Sequence, residues 1–249
     1  MGRFVNPDNS GFQVALNSRI YVDKTGLIEY TNSVLDTTDA YICNSRPRRF
    51  GKSYAANMLA AYYSKGADSE QMFSTLSIGK KQEFKKHLNK YDVIHIDIQW
   101  FLANCEDKNE VVQFITKSVL DELRESYPEC LTFPESSLSD ALSRVKNETG
   151  QKFVIIIDEW DVLIRDEAQN QKVQEDYINF LRSLFKGTEP TKFIALAFLT
   201  GILPIKKLKT QSALNNFAEF TMLDARIFSK YIGFIEEEVK LLCQKYNCD

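Results

Sequence analysis

Short apolar runs alternate along this chain with longer segments that have the pattern of helices. Runs of consecutive apolar residues, many of them β-branched, are typical of strands buried on both faces of a parallel sheet. They predict strands at 40–43, 92–98, 153–157 and 191–199. Helices are predicted at 54–64, 110–127, 173–186 and 236–246. This alternation predicts an α/β fold with three layers and a mainly parallel central sheet.

The two ends of the chain have weaker patterns. Residues 1–38 contain turn-forming sequence and are expected to be irregular, apart from a short helix near 26–30; Asp23 and Lys24 there fit either a catalytic role or a polar turn. Residues 212–231 are expected to be rich in loops. A short helix is expected to begin at Pro134. Because the sequence has no repeat, low-complexity stretch or linker, we interpret residues 1–249 as a single domain.

The composition, with 44% hydrophobic and 26% charged residues, is that of an ordinary globular protein. A formal net charge of -3 gives no overall basic footprint for nucleic acid. The apolar runs are much shorter than the about 20 residues of a membrane span, and the N-terminus has no apolar signal region. The five cysteines include no C-x-x-C pair, which argues against a disulfide framework or a zinc site. We therefore expect a cytoplasmic protein that does not bind a membrane.

The first predicted strand leads into a short polar loop that ends in Gly51-Lys52-Ser53 and opens into a helix. Strand, loop, Gly-Lys-Ser and helix is the layout of a phosphate-binding loop, whose backbone N–H groups and helix N-terminus surround a phosphate. The usual pattern has glycine where this chain has Arg46, so the first half of the loop must bend without glycine's freedom. The residues expected to bind the nucleotide are Arg46, Pro47, Arg48, Arg49, Phe50, Gly51, Lys52, Ser53 and Tyr54.

A second element of the expected site is Asp158-Glu159, which ends a buried strand downstream of the loop. In phosphate-loop nucleotidases an acidic residue at such a strand end holds Mg²⁺ together with the loop hydroxyl, here Ser53. A glutamate that follows it can orient and deprotonate the attacking water, which gives Glu159 a catalytic role. Lys52 is expected to neutralise the β- and γ-phosphates. The alternative is a pair of solvated carboxylates at a strand end.

The strand at 93–98 comes between the loop strand and the Asp158 strand along the chain. This order resembles the phosphate-loop ATPases that have an additional strand and a catalytic glutamate. In those proteins a polar residue at the tip of the next strand senses the γ-phosphate, and Thr200 matches that position. The alternative role for Thr200 is to cap the turn before Gly201.

The sequence N-K-Y-D at 89–92 fits the guanine-reading N-K-x-D motif of GTPases. In GTPases, however, that motif follows a late strand, whereas here it precedes the strand at 93–98 and lies upstream of Asp158. The switch motif D-x-x-G is also missing after Asp158. Adenine is therefore the expected base, and ATP with Mg²⁺ the expected ligands.

Several sequence blocks resemble the bacterial AAA-ATPase-like family. They are Y-V-D-K-T at 21–25, R-P-R-R-F-G-K-S at 46–53, I-D-E-W-D at 157–161, T-G-I at 200–202 and S-A-L-N-N at 212–216. The family usually has tyrosine in place of Trp160, glycine in place of Ala213 and threonine in place of Ser53, whereas Arg46 is its norm. The resemblance implies an ATPase domain, commonly followed by a nuclease-like domain of the PD-(D/E)XK type. That second domain would begin close to Asp249, so we expect it to be absent from this chain.

The leading hypothesis is a slow, Mg²⁺-dependent ATPase that binds ATP and ADP and acts as a nucleotide switch for an attached effector. One alternative is a nucleic-acid-associated module of an ATP-gated nuclease, supported by basic pairs such as Lys80-Lys81 and Lys85-Lys86. Another alternative is a scaffold that does not hydrolyse ATP.

The arginines leave the oligomeric state open. Arg48 and Arg49 fit contact with phosphates, with a neighbouring subunit or with nucleic acid. In a homo-oligomer, an arginine finger would be supplied in trans. The candidates for it are Arg165, Arg182 and Arg226.

Overall fold

A parallel sheet forms the centre of the part of the chain that the structure describes. The structure is a computed structural model, which describes residues 2–133, 137–207 and 214–247. The strands are β1 (Tyr41–Ser45), β2 (Asp92–Asp97), β3 (Phe153–Asp158), β4 (Ile194–Gly201) and β5 (Ala218–Phe220). Their order is β2-β3-β4-β1-β5, and every neighbouring pair is parallel. The expected α/β fold with a parallel central sheet is confirmed.

The strand that separates β1 from β3 in the sheet is β4. β2, which lies between them along the chain, pairs with the other side of β3 and forms an edge. An additional strand between the loop strand and the Asp158 strand is therefore present as expected, but its assignment to residues 93–98 is wrong, because β4 occupies that position in the sheet. Every residue of β3 and β4 is buried, since helices cover both faces of these central strands.

Helices cover the two faces of the sheet. They are α1 (Ser10–Leu16), α2 (Gly26–Val34), α3 (Lys52–Tyr63), α4 (Glu70–Ser74), α5 (Phe84–His87), α6 (Ile98–Asn104), α7 (Val111–Ser126), α8 (Leu138–Thr149), α9 (Val162–Asp166), α10 (Gln171–Phe185), α11 (Pro190–Phe193) and α12 (Glu236–Tyr246). The connection from β1 to β2 runs along the sheet in one direction, and the connections from β2 to β3 and from β3 to β4 run in the other. Because such connections are right-handed, the helices of the first lie on one face of the sheet and those of the other two on the opposite face. One layer contains α3 with α1 and α2; the other contains α7, α8 and α10.

The first 38 residues were expected to be irregular apart from a short helix near 26–30, and this expectation is wrong for α1. α1 packs on α3 and buries Phe12, while α2 begins at Gly26, where a short helix was expected. Val5 forms an antiparallel bridge with Ile94 of β2. These elements are stabilised by packing on the rest of the fold, since helices as short as α1 are marginal by themselves.

Two other elements differ from the expectation. The predicted strand at 92–98 stops at Asp97, whose carboxylate accepts a hydrogen bond from the Trp100 N–H at 3.1 Å and so caps α6. The loop-rich segment 212–231 contains β5, which pairs with β1. Three residues are too few to show a strand period, so the sequence could not reveal β5.

The segment 21–25 forms a polar joint between distant parts of the chain. The Asp23 carboxylate accepts hydrogen bonds from the Thr25 N–H at 2.9 Å and from the Ser77 N–H at 2.6 Å. Lys24 Nζ lies 2.6 Å from the Glu238 carboxylate of α12. Asp23 and Lys24 are thus engaged in contacts that connect the N-terminal segment to residues 77 and 238, as a polar turn would be.

Some expectations concern residues outside the described ranges, namely Pro134, residues 212–213 and Cys248. From Leu138 onward the expected helix is present as α8, and the Ser137 hydroxyl caps it by accepting from the Asp140 N–H at 3.2 Å. The cysteines in the described ranges, at positions 43, 105, 130 and 243, are free thiols. Among the helices described, none has the length and apolar character needed to cross a bilayer.

Candidate phosphate-binding site

The loop between β1 and α3 has the backbone geometry of an anion cradle. It starts at Arg46, whose N–H donates to the Gly201 carbonyl at 3.0 Å, and ends at Gly51, which has a φ of 80°. No side chain caps the N-terminus of α3, so its first N–H groups and the positive end of its dipole face the loop. The left-handed turn lies at Arg49 (φ 68°) and Gly51. The loop therefore bends in its second half, and Arg46 needs no glycine-like conformation.

Lys52 is buried and close to both the loop and the acidic strand end. Its Nζ donates to the Pro47 carbonyl at 3.2 Å and lies 3.6 Å from Glu159 Oε1. The loop therefore folds over the ammonium group from one side, and the acidic residue faces it from the other. This position is the one that a lysine needs to reach an anion held by the loop.

The remaining loop side chains have different surroundings. Arg46 is only 2% exposed, and its Nη1 has no hydrogen-bond partner among the described residues. Burial lowers the pKa of the Arg46 guanidinium. Arg48 and Arg49 are exposed to solvent. A buried guanidinium without a carboxylate partner is costly, which makes Arg46 the loop arginine best placed to gain from an anion.

Phe50 and Tyr54, also expected to bind the nucleotide, lie at the second half of the loop and on the first turn of α3. Phe50 packs against the turn at Gly233, where an added Cβ would lie 2.9 Å from the Phe50 ring. Tyr54 is exposed on the first turn of α3. Phe50 thus fixes the loop against the C-terminal part of the chain.

Ser53 and Asp158 meet at the start of α3. The Ser53 hydroxyl hydrogen-bonds the Asp158 carboxylate, which is 5% exposed and also accepts from the Glu159 N–H at 3.0 Å. Burial raises the pKa of Asp158 to about 6, the Ser53 hydrogen bond opposes this rise, and the charges of Asp97 and Glu159 add to it. A buried carboxylate with a raised pKa and no ion pair to a cation among the described residues is the arrangement that a divalent metal would stabilise.

The Asp158 end of β3 belongs to a polar row that crosses the sheet. Asp97, Asp158, Thr200 and Asn44 are register neighbours on β2, β3, β4 and β1, so their side chains point to the same face. Asn44 and Thr200 are fully buried, and neither the Asn44 amide nor the Thr200 hydroxyl has a partner in the described part of the chain. Thr200 thus lies beside Asp158, and its hydroxyl does not cap the turn before Gly201.

Asp161 fixes the turn that follows Thr200. Its buried carboxylate accepts from the Ile202 N–H at 3.1 Å and from the Leu203 N–H at 2.8 Å. A Cβ at Gly201 would lie 2.5 Å from Asp161 Oδ1, so this close approach requires glycine. The tip of β4 is therefore held against the segment that follows β3.

The sequence resembling a guanine-reading motif has a structural role. Asn89 donates to the Ser64 carbonyl at 2.7 Å and accepts from the Ser69 N–H at 3.0 Å, so it stabilises the segment after α3. Asp92 is fully buried at the start of β2, at the end of the sheet opposite the loop. Both side chains are therefore engaged in contacts that stabilise the fold.

The basic pairs at 80–86 are largely neutralised by acidic partners. Lys81, Lys85 and Lys86 form ion pairs of 2.5–2.9 Å with Glu29, Glu70 and Glu83. A surface on which lysines alternate with carboxylates lacks the concentrated positive charge that binds phosphate backbones.

Sequence reasoning singled out Lys52, Ser53, Asp158, Glu159 and Thr200, and the structure brings these five residues together. Sequence reasoning missed three other residues of this site, namely Asn44, Asp97 and Asp161. Asp97 and Asn44 could have been found from their positions at or near the ends of predicted strands, because parallel strands end at the same edge of a sheet.

Comparisons with known proteins agree with this geometry. The chain is 24% identical to a protein from Azotobacter chroococcum mcd 1, described as an uncharacterized protein in vnfD 5'region. The similarity covers 88% of this chain and 40% of that protein, so the chain spans well under half of its relative's length. The family model described as "Predicted AAA-ATPase" matches residues 12–210, which include the loop, Asp158, Glu159 and Thr200. With most of its length matched, this chain belongs to the AAA-ATPase-like family.

Proposed function

We propose that this protein binds ATP with Mg²⁺ at the loop 46–53 and hydrolyses it slowly. The observation that carries the proposal is the meeting of Ser53 and Asp158 at the uncapped N-terminus of α3, with Lys52 and Glu159 alongside. Loop N–H groups and Lys52 would bind the phosphates. Nucleotide binding as such follows from membership of the family.

The residues present fit a magnesium ion of the kind that nucleotides carry. Ser53 and Asp158, which are in side-chain hydrogen-bond contact, would supply two oxygen ligands. Among the described residues no group of three or more His, Cys, Asp or Glu is placed to hold a metal. Mg²⁺ commonly takes only one or two protein ligands and completes its octahedron with phosphate oxygens and water. The metal would neutralise phosphate charge, and Ser53 and Asp158 would orient it.

Glu159 is the residue we assign to activation of water. It follows the metal-ligand position directly and is 22% exposed, so water can reach its carboxylate. Its backbone has a φ of 51°, a left-handed conformation that is uncommon outside glycine. Such strain is retained where the fold needs a side chain in one orientation. Slow turnover is expected, because nucleotide switches often await a partner that completes the site.

The first test is ATP binding to the purified chain by calorimetry, with and without Mg²⁺. Lys52→Ala should weaken binding by about tenfold or more, because it removes a charge-assisted contact to phosphate. Lys172→Ala, at an exposed position of α10, is the control and should bind like the wild type. Unchanged affinity in Lys52→Ala would contradict the proposed site.

The second test is steady-state phosphate release. Glu159→Gln should keep ATP affinity and lower kcat by roughly 10²-fold or more, the usual contribution of a general base. Unchanged turnover would remove the catalytic role of Glu159 and leave binding intact. Wild-type chain that binds ATP and releases no phosphate would indicate a scaffold that does not hydrolyse ATP.

A role as a nucleotide switch for an attached effector is the wider part of the proposal. It is supported by the location of Thr200, a candidate γ-phosphate sensor, next to both Asp158 and the turn fixed by Asp161. A switch requires different affinities or conformations with ATP and ADP. Hydrogen exchange at residues 200–203 should therefore differ between the two nucleotides, and identical exchange would contradict a switch at this turn.

A further inference from the structure

The Glu159 carboxylate lies between two cations of its own chain. Lys52 Nζ is 3.6 Å from Oε1, and Arg165 Nη1 is 3.6 Å from Oε2. Both distances exceed a hydrogen bond, so these are ionic contacts that small movements can strengthen or break. The backbone below is fixed, since the Trp160 N–H donates to the Thr200 carbonyl at 3.1 Å and the Tyr177 hydroxyl donates to the Trp160 carbonyl at 2.7 Å. The position of the carboxylate therefore depends on its two cationic partners.

Lys52 cannot serve Glu159 and a phosphate equally well. Its ammonium group has three donors, one of which is already used by the Pro47 carbonyl. In the proposed function Lys52 contacts the phosphates. Its ionic interaction with Glu159 is then weaker, because the phosphates carry more charge and compete for the ammonium group. Arg165 is the cation that remains beside Glu159 in that state.

Arg165 is held firmly enough to act as a fixed partner. Its Nη1 lies 3.1 Å from Asp161 Oδ2 and its Nε lies 2.8 Å from Asp166 Oδ1, and the side chain is 19% exposed. Asp161 in turn accepts from the N–H groups of the turn after Thr200. The guanidinium is thus connected through one buried carboxylate to the tip of β4, and its Nη1 is shared between Asp161 and Glu159.

We infer that Arg165 is a positioning residue for Glu159, which keeps the carboxylate oriented when Lys52 is engaged by nucleotide. The inference rests on the proposed function. It places Arg165 in the site of its own chain, whereas Arg182 and Arg226 are exposed. Arg182 hydrogen-bonds Asn179, while Arg226 pairs with Asp224 and lies over the Phe220 ring, 5.9 Å from its centroid. Those two remain the candidates for an arginine supplied in trans.

The test is a double-mutant cycle in steady-state ATP hydrolysis. Arg165→Ala should lower kcat by about tenfold or more with KM changed less than about twofold, because binding of ATP does not involve Arg165. Arg165→Lys, which keeps the charge and loses the planar fork, should recover part of the loss. In a Glu159→Gln background, Arg165→Ala should have little further effect, since the carboxylate that it orients is gone.

Arg144→Ala is the matched control. Arg144 also pairs with an aspartate four residues earlier, Asp140, but on α8, away from the site. Its removal should leave kcat unchanged. The inference is overturned if Arg165→Ala leaves kcat unchanged, lowers it by the same factor in the Glu159→Gln background, or mainly raises KM. If Lys52→Ala still binds ATP, or the wild type shows no turnover, the proposed function fails first and the inference fails with it.

Discussion

Asp92 and Asp158 are both buried aspartates on neighbouring strands, at opposite ends of one sheet and in opposite surroundings. Asp92, at the start of β2, accepts from Asn6 Nδ2 at 2.8 Å, pairs with Lys65 Nζ at 2.8 Å and accepts from the Tyr127 hydroxyl. Its charge is compensated by a cation and two hydrogen-bond donors. This is the environment of a carboxylate that stabilises a fold.

Asp158, at the end of β3, forms no such ion pair within the part of the chain that the structure describes. It accepts from Ser53 and from the Glu159 N–H, and faces the negative charges of Asp97 and Glu159. This arrangement lowers the stability of the fold, because burial disfavours the charged form of Asp158 and raises its pKa to about 6. The contrast teaches that burial alone does not identify a functional carboxylate, whereas burial without compensation does indicate one.

The largest effect on stability is expected at Asp92. Asp92→Ala would leave Lys65, Asn6 and Tyr127 without their shared acceptor, and should lower the free energy of unfolding by about 3–5 kcal/mol in urea denaturation. Asp176→Ala removes an exposed carboxylate paired with Lys172 and should cost less than about 1 kcal/mol. An Asp92 variant as stable as this control would show that the paired network contributes nothing.

Asp158→Asn should stabilise the fold, the opposite of the effect expected for Asp92→Ala. In the absence of metal it removes a poorly compensated buried charge and should raise the free energy of unfolding at pH 7 by up to about 3 kcal/mol, while Mg²⁺-dependent ATP binding is lost. Thermal or urea unfolding in EDTA measures the first effect and calorimetry the second. An Asp158→Asn variant that is less stable than the wild type and still binds ATP with Mg²⁺ would contradict the contrast between Asp92 and Asp158.

The pH dependence of the stability difference between Asp158→Asn and the wild type tests the contrast with Asp92 further. The pKa of Asp158 is raised from 3.8 to about 6 in the fold, so between these values the folded state holds a proton that the unfolded state has released. The uncharged form of Asp158 is the one that the fold favours, so the contribution of Asp158 to stability is present in full below about pH 4, where Asp158 is protonated. That contribution is lost as the pH rises through 6. The stability gap between Asp158→Asn and the wild type, measured without metal, should therefore widen from pH 4 to 6 and stay level above. A gap independent of pH would contradict the raised pKa.

The smallest stability change is expected at Arg46, a second charge at this end of the sheet that has no ionic partner among the described residues. Arg46→Met replaces a buried guanidinium with an apolar chain of similar length and should change the free energy of unfolding by about 1 kcal/mol or less, in the stabilising direction. ATP affinity should fall by about tenfold, since a charge-assisted contact to phosphate is lost. Unchanged affinity would assign Arg46 a purely structural place.

Much of the fold and of the site could be predicted locally. The apolar runs that became β1 to β4, the Gly51-Lys52-Ser53 end of the loop and the Asp158-Glu159 strand end each depend on a few consecutive residues. α1 and β5 could not be predicted in this way, because packing on distant residues stabilises them. Arg165 was a candidate for action in trans, and only its contacts with Asp161 and Glu159 place it within the site.

The sequence by itself determined the strands β1 to β4, the loop proposed to hold a phosphate and the acidic pair at the end of β3, since these are local patterns of apolar and polar residues. Tertiary structure alone decided that β4 lies between β1 and β3, which sets Thr200 beside both Asp158 and Asn44. It also decided which buried aspartate is compensated, since Asn6 and Tyr127 reach Asp92 from 86 and 35 residues away. The physical reason is that the free energy of a buried charge depends on the partners that folding brings to it.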